Sequence, residues 1–199
     1  MSPSGTIYDQ YIHLYKRGNH KDALFKEEEC YYLFLEMYKK YMKPIALLYA
    51  YCLLPTHFHL LVRVKSADEI GDICQCDERF WYQYRSFLGI YTKRINCTYK
   101  RSGCLVNGGY SNIMDPKENS FYQLFVFIHQ NPQVYGIVSD YRLWPFSSYF
   151  AYKRKDRRAI IAKDLFFDDE SYRLIMESGD LSNYTNPVIL TDPSVETGH

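Results

Sequence analysis

Apolar residues recur at two spacings along the chain, and each spacing predicts one type of element. Over residues 26–42 they return every three or four positions, which predicts a helix with one buried face. The same spacing predicts a second helix over residues 80–96 and a third over 120–130, the latter stopped by Asn131-Pro132. Nearly continuous apolar runs at 45–54 and 57–64 predict two buried strands joined by a tight turn at Pro55-Thr56.

The remaining segments complete an α+β pattern. Residues 8–15 have strand character, Ser147 is a candidate cap for a short helix, and residues 169–177 fit a final helix. Residues 179–199 are polar and aperiodic, so we expect a domain over 1–178 and a flexible tail over 179–199. The order strand, helix, strand, strand, helix predicts a ferredoxin-like (RRM-like) antiparallel sheet with helices packed on it.

Composition places the chain among soluble globular proteins. Its 199 residues suffice for one sizeable core, and 47% apolar with 24% charged residues is close to average. Neither a signal peptide nor a bilayer-spanning run is visible, so we expect a cytoplasmic protein. The net charge of +1 is not typical of nucleic-acid binders, although basic residues cluster around positions 93–101 and 153–158. A solvated face would explain those clusters equally well.

Six cysteines are scattered along the chain, and two of them, Cys74 and Cys76, are separated by one residue. Structural zinc sites usually space their cysteines by two to four residues and add a second pair. We therefore expect reduced thiols and no zinc site.

The sharpest local pattern is His57-Phe58-His59 at the start of a predicted strand. Side chains two apart on a strand point to the same face, so His57 and His59 present two imidazoles side by side. Two neutral imidazoles can hold a divalent cation and leave coordination positions open for substrate oxygens. Two hydrogen-bonded structural histidines would fit the same pattern.

Five segments, in order, resemble one protein family. They are Tyr15-Lys16-Arg17-Gly18-Asn19 with Leu24-Phe25, residues 49–62 around the histidine pair, Tyr91-Thr92 to Gly103, residues 127–132 and residues 144–149. Together they resemble the REP-associated and insertion-sequence tyrosine transposases, the single-stranded DNA transposases with a His-hydrophobe-His motif. The resemblance covers about residues 7–178.

This resemblance implies a chemistry and a set of residues. His57 and His59 would be ligands of Mg²⁺ or Mn²⁺, and Tyr91 would attack a phosphodiester of single-stranded or hairpin DNA to give a 5′-phosphotyrosine. Asn96 is the nearest match for a third metal ligand, although five residues from Tyr91 is about 140° around a helix. Arg17, Lys100 and Arg101 would contact DNA. A core position would explain Tyr91 equally well, because it shares a helical stripe with Leu88 and Ile95.

Some positions depart from the family pattern and keep other functions open. Thr56 stands where the family commonly has Asn, and residues 107–112 are less basic than in the family. One alternative is a non-catalytic, single-stranded nucleic-acid-binding module derived from a transposase. Another is an unrelated metal-dependent hydrolase, for which Asp68 and Glu69 are the nearest carboxylates. Family members work as monomers or as dimers, so a homodimer is also open.

Overall fold

Four strands pair into one antiparallel sheet in the computed structural model, which describes residues 6–19, 23–71, 78–115, 119–153, 160–162 and 176. The strands are Tyr11–Gly18 (β1), Ala46–Leu53 (β2), His57–Val64 (β3) and Val106–Met114 (β4). Their order across the sheet is β2-β3-β1-β4, with every neighbouring pair antiparallel. This is the ferredoxin-like order that the sequence predicts.

Helices lie on both faces of this sheet. The bounds of the helices are Glu28–Tyr41 (α1), Ala67–Ile70 (α2), Glu78–Thr98 (α3), Asn119–Val134 (α4) and Tyr149–Lys153 (α5), with a 3-10 turn at Tyr141–Leu143. Helices α1 and α3 pack on each other, whereas α4 packs against β2 and β3. The α+β class with helices on an antiparallel sheet is therefore confirmed.

The alternation along β3 shows which helices cover which face. Phe58 contacts Phe34 of α1, and Phe34 contacts Phe87 and Tyr91 of α3. His59, the next residue along the strand, contacts Phe127 of α4 instead. The sheet therefore separates an α1–α3 layer from an α4 layer, because adjacent strand residues point to opposite faces.

Three elements differ from the sequence-based prediction. Strand β1 spans Tyr11–Gly18 rather than 8–15, since its pairing with β3 extends to Arg17 opposite His57. Helix α4 continues past Pro132 to Val134, although a proline removes one backbone N–H from the helix ladder. The backbone N–H of Tyr135 still donates to the Asn131 carbonyl, which closes the last turn.

Strand β4 was not predicted at all. Most of its residues are exposed, and Gly108-Gly109 interrupts any alternation of apolar and polar positions. A Cβ at Gly109 would collide with the Tyr15 carbonyl oxygen of β1, and φ is +109° there. Glycine therefore allows the close approach of β4 to β1, at the point where their register shifts.

Several expectations concern residues outside the described ranges. Cys74 and Cys76, most of the basic segment 153–158, most of the predicted helix 169–177 and the tail 179–199 belong to this group. The domain boundary at 178 stays a prediction. Within the described part of the chain, helices fall short of the length and apolarity needed to cross a bilayer.

A buried histidine joins α4 to the start of α5. His129 shares hydrogen bonds with the Phe125 carbonyl at 2.8 Å and with Ser148 Oγ at 2.7 Å. Burial lowers the pKa of His129 to about 4, so its ring is neutral at pH 7. Ser148 Oγ also accepts from the backbone N–H of Tyr51 in β2, so this network ties α4, α5 and the sheet edge together.

Replacing Ser148 by alanine should destabilise the fold measurably. The change removes the Ser148 Oγ partner of His129 Nε2 and of the Tyr51 N–H in a buried site, which costs about 1–3 kcal/mol. Denaturant unfolding of Ser148→Ala measures this loss. Exposed Ser111 is the matched control, and its alanine variant should stay within about 0.5 kcal/mol of the unaltered protein. Equal stability of the two variants would contradict the role of the network.

Candidate metal and DNA site

His57 and His59 lie side by side on the α4 face of the sheet. Both are almost fully buried, and their ring centroids are 5.3 Å apart with the planes nearly perpendicular. Strand β3 fixes this arrangement, because both side chains point towards α4 while Phe58 points towards α1. The two imidazoles therefore share one face of the sheet, as the alternation of strand residues predicts, and their role as metal ligands stays a prediction.

Hydrogen bonds orient both rings and leave one nitrogen without a partner. His59 Nδ1 lies 2.9 Å from Nε2 of His13 on β1, and the two rings stack. His59 Nε2 is buried and has no hydrogen-bond partner among the described residues. His57 Nδ1 lies 3.0 Å from Thr56 Oγ1. The residue that differs from the family pattern, Thr56, thus holds the first histidine in place.

His13 and His59 are neutral at physiological pH. Burial lowers the pKa of His13 to about 3. Burial, reinforced by the adjacent His13 and His57 rings, holds the pKa of His59 well below its usual range. Neutral imidazole is the form that binds a metal ion, so His59 needs no deprotonation before it can act as a ligand.

Helix α4 places two further side chains over the histidine pair. Asn131 Oδ1 lies 3.2 Å from His57 Nε2, and Asn131 Nδ2 is buried without a partner in the described residues. Phe127 lies one helical turn earlier and faces the His59 ring edge-to-face at 5.6 Å. The α4 position opposite His59 therefore carries an apolar ring without a hydroxyl.

Two tyrosines border the same site. The Tyr15 ring, on β1, lies 4.9 Å from the His59 ring and 5.7 Å from the His57 ring. The Tyr135 ring, just after α4, lies 4.5 Å from the His57 ring. Aromatic side chains therefore enclose the histidines on the sheet side and at the end of α4.

The structure does not bring Tyr91 together with the histidine pair. Its side chain is fully buried in the α1–α3 layer, and its hydroxyl donates to the Leu24 carbonyl at 3.1 Å, with the Cys30 carbonyl at 3.4 Å. Burial raises the pKa of this phenol far above its usual value. A nucleophilic role would require the hydroxyl to leave these partners and cross to the other face of the sheet.

Asn96 also lies away from the pair. Its Nδ2 donates to the Gly103 carbonyl at 2.8 Å, which stabilises the turn after α3. Its amide is therefore engaged at the end of α3, in the layer opposite the histidines.

The three predicted DNA-contacting residues lie near one end of the sheet. Arg17 is directly opposite His57 in the β1–β3 pairing and is half-buried. Lys100, which is exposed, and Arg101 follow α3 in a turn connected to the ends of β1 and β4, where the N–H of Asn19 donates to the Leu105 carbonyl. Arg17 is thus placed at the histidine site itself.

The donor set of this site fits a divalent cation. His59 Nε2 has no partner among the described residues, whereas His57 Nε2 and Asn131 Oδ1 hydrogen-bond to each other at 3.2 Å. A cation that replaced this hydrogen bond, with the His57 proton moved to Nδ1, would meet two imidazole nitrogens and one amide oxygen. Imidazole is softer than Mg²⁺ prefers, so Mn²⁺ should bind at least as well. Among the described residues, no group of three or more His, Cys, Asp and Glu side chains could hold a metal ion, and the oxygen that lies next to the histidine pair is the Asn131 amide oxygen.

Of the two carboxylates nearest to the histidine pair in sequence, Glu69 has hydrogen-bond partners elsewhere. Glu69 accepts from Arg63 at 3.2 Å and from the backbone N–H of Ser66 at 2.8 Å, as the acidic member of the α2 capping box. Asp68 is an exposed residue of the same short helix.

Sequence reasoning missed four residues of the site: His13, Tyr15, Phe127 and Asn131. Two signals could have found them. His13 and Tyr15 alternate on a strand as the histidine pair does, and Phe127 and Asn131 are four residues apart on a helix. Residues 127–132 resemble the family as a segment and Asn131-Pro132 predicts a helix stop, but neither pattern points to the Asn131 amide as a donor.

Comparison with known proteins supports the fold. No family model matches the sequence, and no curated protein matches it. A solved structure of a REP-associated tyrosine transposase bound to a REP hairpin is similar, with a TM-score of 0.55 at 15% identity. The match covers 86% of this chain and 96% of that one. At this identity the likeness shows a shared fold.

Changing Tyr91 to phenylalanine should cost stability and leave the histidine site unchanged. The variant removes a buried hydroxyl and leaves the Leu24 carbonyl without this donor, for a loss of about 1 kcal/mol. Denaturant unfolding tests this, with exposed Tyr82 (67%) as the control for Tyr→Phe. A variant as stable as the control, with altered Mn²⁺ affinity, would place Tyr91 at the cation site instead.

Proposed function

We propose that this protein binds single-stranded or hairpin DNA and holds a divalent cation at His57, His59 and Asn131. The observation that carries the proposal is the buried His59 Nε2, which lacks a partner in the described chain. The neighbouring His57 ring lies 5.3 Å away, and its Nε2 is 3.2 Å from the Asn131 amide oxygen. Leaving a polar atom unpaired in a buried site is costly, so such an atom indicates a missing ligand. The transposase-like fold and the REP hairpin bound by that neighbour support DNA as the partner.

Each residue of the site has a definite role in this proposal. His57 and His59 donate their Nε2 lone pairs, and Asn131 donates its amide oxygen. His13 and Thr56 lie behind the pair and fix the ring orientations, as residues that hydrogen-bond metal ligands commonly do. Arg17, opposite His57, positions a phosphate, with Lys100 and Arg101 extending the basic surface. A bound cation supplies electrostatic stabilisation of a phosphate oxygen.

Metal-dependent strand cleavage and transfer through a 5′-phosphotyrosine is the second candidate function. The metal donor set and the shared fold favour it. It also requires a tyrosine hydroxyl at the cation, since an unactivated phenol with a pKa near 10 is a poor nucleophile. Phe127 offers no hydroxyl at the α4 position facing His59, and Tyr91 is bonded to backbone carbonyls on the other face. Of the tyrosines described, Tyr15 and Tyr135 border the pair.

These placements favour the binding function over cleavage. The predicted nucleophile and the predicted cation ligands lie in different layers, so cleavage by Tyr91 requires a rearrangement of the core around α3. Binding requires no such change. A homodimer remains a proposal, and it is not needed to complete the histidine site.

Removing Asn131 should weaken cation binding, whereas removing Asn96 should not. Asn131→Ala deletes one of three donors, and we expect Mn²⁺ affinity to fall by about tenfold or more, in line with the loss of other residues that support a metal site. Isothermal titration with Mn²⁺ on purified protein measures the change. Asn96→Ala is the matched control, because its amide bonds to the Gly103 carbonyl. A loss confined to Asn96→Ala would restore the sequence-based choice of third ligand.

DNA binding and cleavage can be separated in one experiment. Labelled hairpin DNA with unpaired flanks is incubated with the protein and Mn²⁺, then analysed by gel shift and, after denaturation, for a covalent adduct. We expect retarded DNA and no adduct. Failure to retard any hairpin or single-stranded DNA would contradict the proposed function.

An adduct would establish the cleavage function, and tyrosine variants would then identify the nucleophile. Tyr15→Phe, Tyr91→Phe and Tyr135→Phe each remove one hydroxyl and little volume. Loss of the adduct in Tyr15→Phe or Tyr135→Phe would place the nucleophile at the histidine face. Loss in Tyr91→Phe, with stability maintained, would show that the core opens when DNA binds.

A further inference from the structure

A groove of about 510 Å³ lies between α3 and β4, on the face of the sheet opposite the histidines. Its helical wall includes Trp81, Leu88 and Thr92, which share one face of α3 at helical spacing. Its sheet wall includes Lys16 and Ser111, and Lys16 points to the same face as Phe58, its partner in the β1–β3 register. The volume is within the range of about 300–1,000 Å³ that is typical of ligand pockets.

The charge of the groove is positive. Among the described residues that line it, Lys16 and Arg85 are cationic and none is an aspartate or a glutamate. Neither cation forms an ion pair with another described residue. Two cations without a neighbouring carboxylate attract an anion such as a phosphate.

The groove also offers an aromatic surface. Trp81 is half-buried, with its ring against Phe80 at 4.9 Å and near Tyr84 at 6.4 Å. Leu88 and Tyr84 extend the apolar wall, while the Thr92 and Ser111 hydroxyls add polar groups that can hydrogen-bond to a base edge. An aromatic wall beside cations is the combination with which proteins hold unpaired bases and their phosphates.

The groove and the histidine site are connected around an open edge of the sheet. Strand β4 is an edge strand in the order β2-β3-β1-β4, and most of its residues are exposed. Tyr110 of β4 pairs with Tyr15, whose ring lies on the histidine face, and both Tyr110 and its neighbour Ser111 line the groove. A DNA strand that crosses β4 can therefore reach both sites.

We propose that the α3–β4 groove binds one unpaired nucleotide of single-stranded DNA, with its base against Trp81 and its phosphate at Lys16 and Arg85. This inference rests on the proposed DNA binding and adds to it a base-binding site on the other face of the sheet. It predicts a preference for DNA that has unpaired nucleotides over a fully paired hairpin.

Trp81 fluorescence tests the proposal directly. The chain has two tryptophans, so Trp144→Phe leaves Trp81 as the only indole. Oligothymidine, a blunt hairpin and thymidine monophosphate are titrated into this variant, with circular dichroism to verify its fold. We expect quenching by oligothymidine, with much weaker effects of the blunt hairpin and of the mononucleotide at the same concentration. Equal quenching by the mononucleotide would contradict a site for single-stranded DNA. Unchanged Trp81 emission while labelled oligothymidine binds would also contradict it.

Variants in the otherwise unaltered protein separate the groove from the rest of the DNA surface. We expect Trp81→Ala to weaken oligothymidine binding on the order of tenfold, the size typical of one lost base stack. Arg85→Gln should weaken binding and reduce the slope of affinity against salt concentration by about one phosphate contact. Arg94 is another exposed arginine of α3 and lies outside the groove, so Arg94→Gln should change neither quantity.

The outcomes distinguish this inference from the proposed function. If Trp81→Ala and Arg85→Gln both bind the hairpin and oligothymidine with full affinity, the nucleotide site in the groove is overturned and the proposed function stands. No binding of DNA by the unaltered protein overturns both.

Discussion

The alternation of side chains along β3 is the constraint on which the rest of the structure depends. His57 and His59 point to one face, and Phe58 and Leu60 point to the other, because successive residues of a strand alternate. Phe58 anchors α1 and, through Phe34, α3. Helix α4 packs over the histidines through Phe127 and Asn131. One strand thus separates an apolar core from a polar site, and a shift of one residue in its register would exchange the two.

That separation explains why Tyr91 and the histidine pair do not meet. An apolar stripe on α3 buries Tyr91, and the layer that receives it already contains Phe25 and Phe34. The hydroxyl satisfies its hydrogen bond locally, on backbone carbonyls near α1. Helix α4 covers the opposite face and places the Asn131 amide beside the histidines. The histidine side of the sheet therefore brings two imidazoles and an amide together among aromatic rings.

Much of the fold follows from local patterns, and the site follows only in part. The helical spacing of α1 and α3 and the apolar runs of β2 and β3 predict those elements, and the motif of two alternating histidines predicts a shared face. Strand β4 could not be predicted, because it forms by pairing with β1 and buries little of its own surface. The role of Asn131 could not be predicted either. Helical periodicity shows that a helix has a buried face, but it does not show against which face of the sheet the helix packs. Tyr91 and Asn131 both lie on such helices, and the two helices pack on opposite faces of the sheet.

An anomalous difference map of crystals grown with Mn²⁺ tests the central claim most directly, because it locates the cation without reference to activity. The account predicts one strong peak within bonding distance of His57 Nε2, His59 Nε2 and the Asn131 amide oxygen, with Tyr91 still bonded to the Leu24 carbonyl. A map without a peak at saturating Mn²⁺, or a peak bound by Asn96 beside Tyr91, would contradict it.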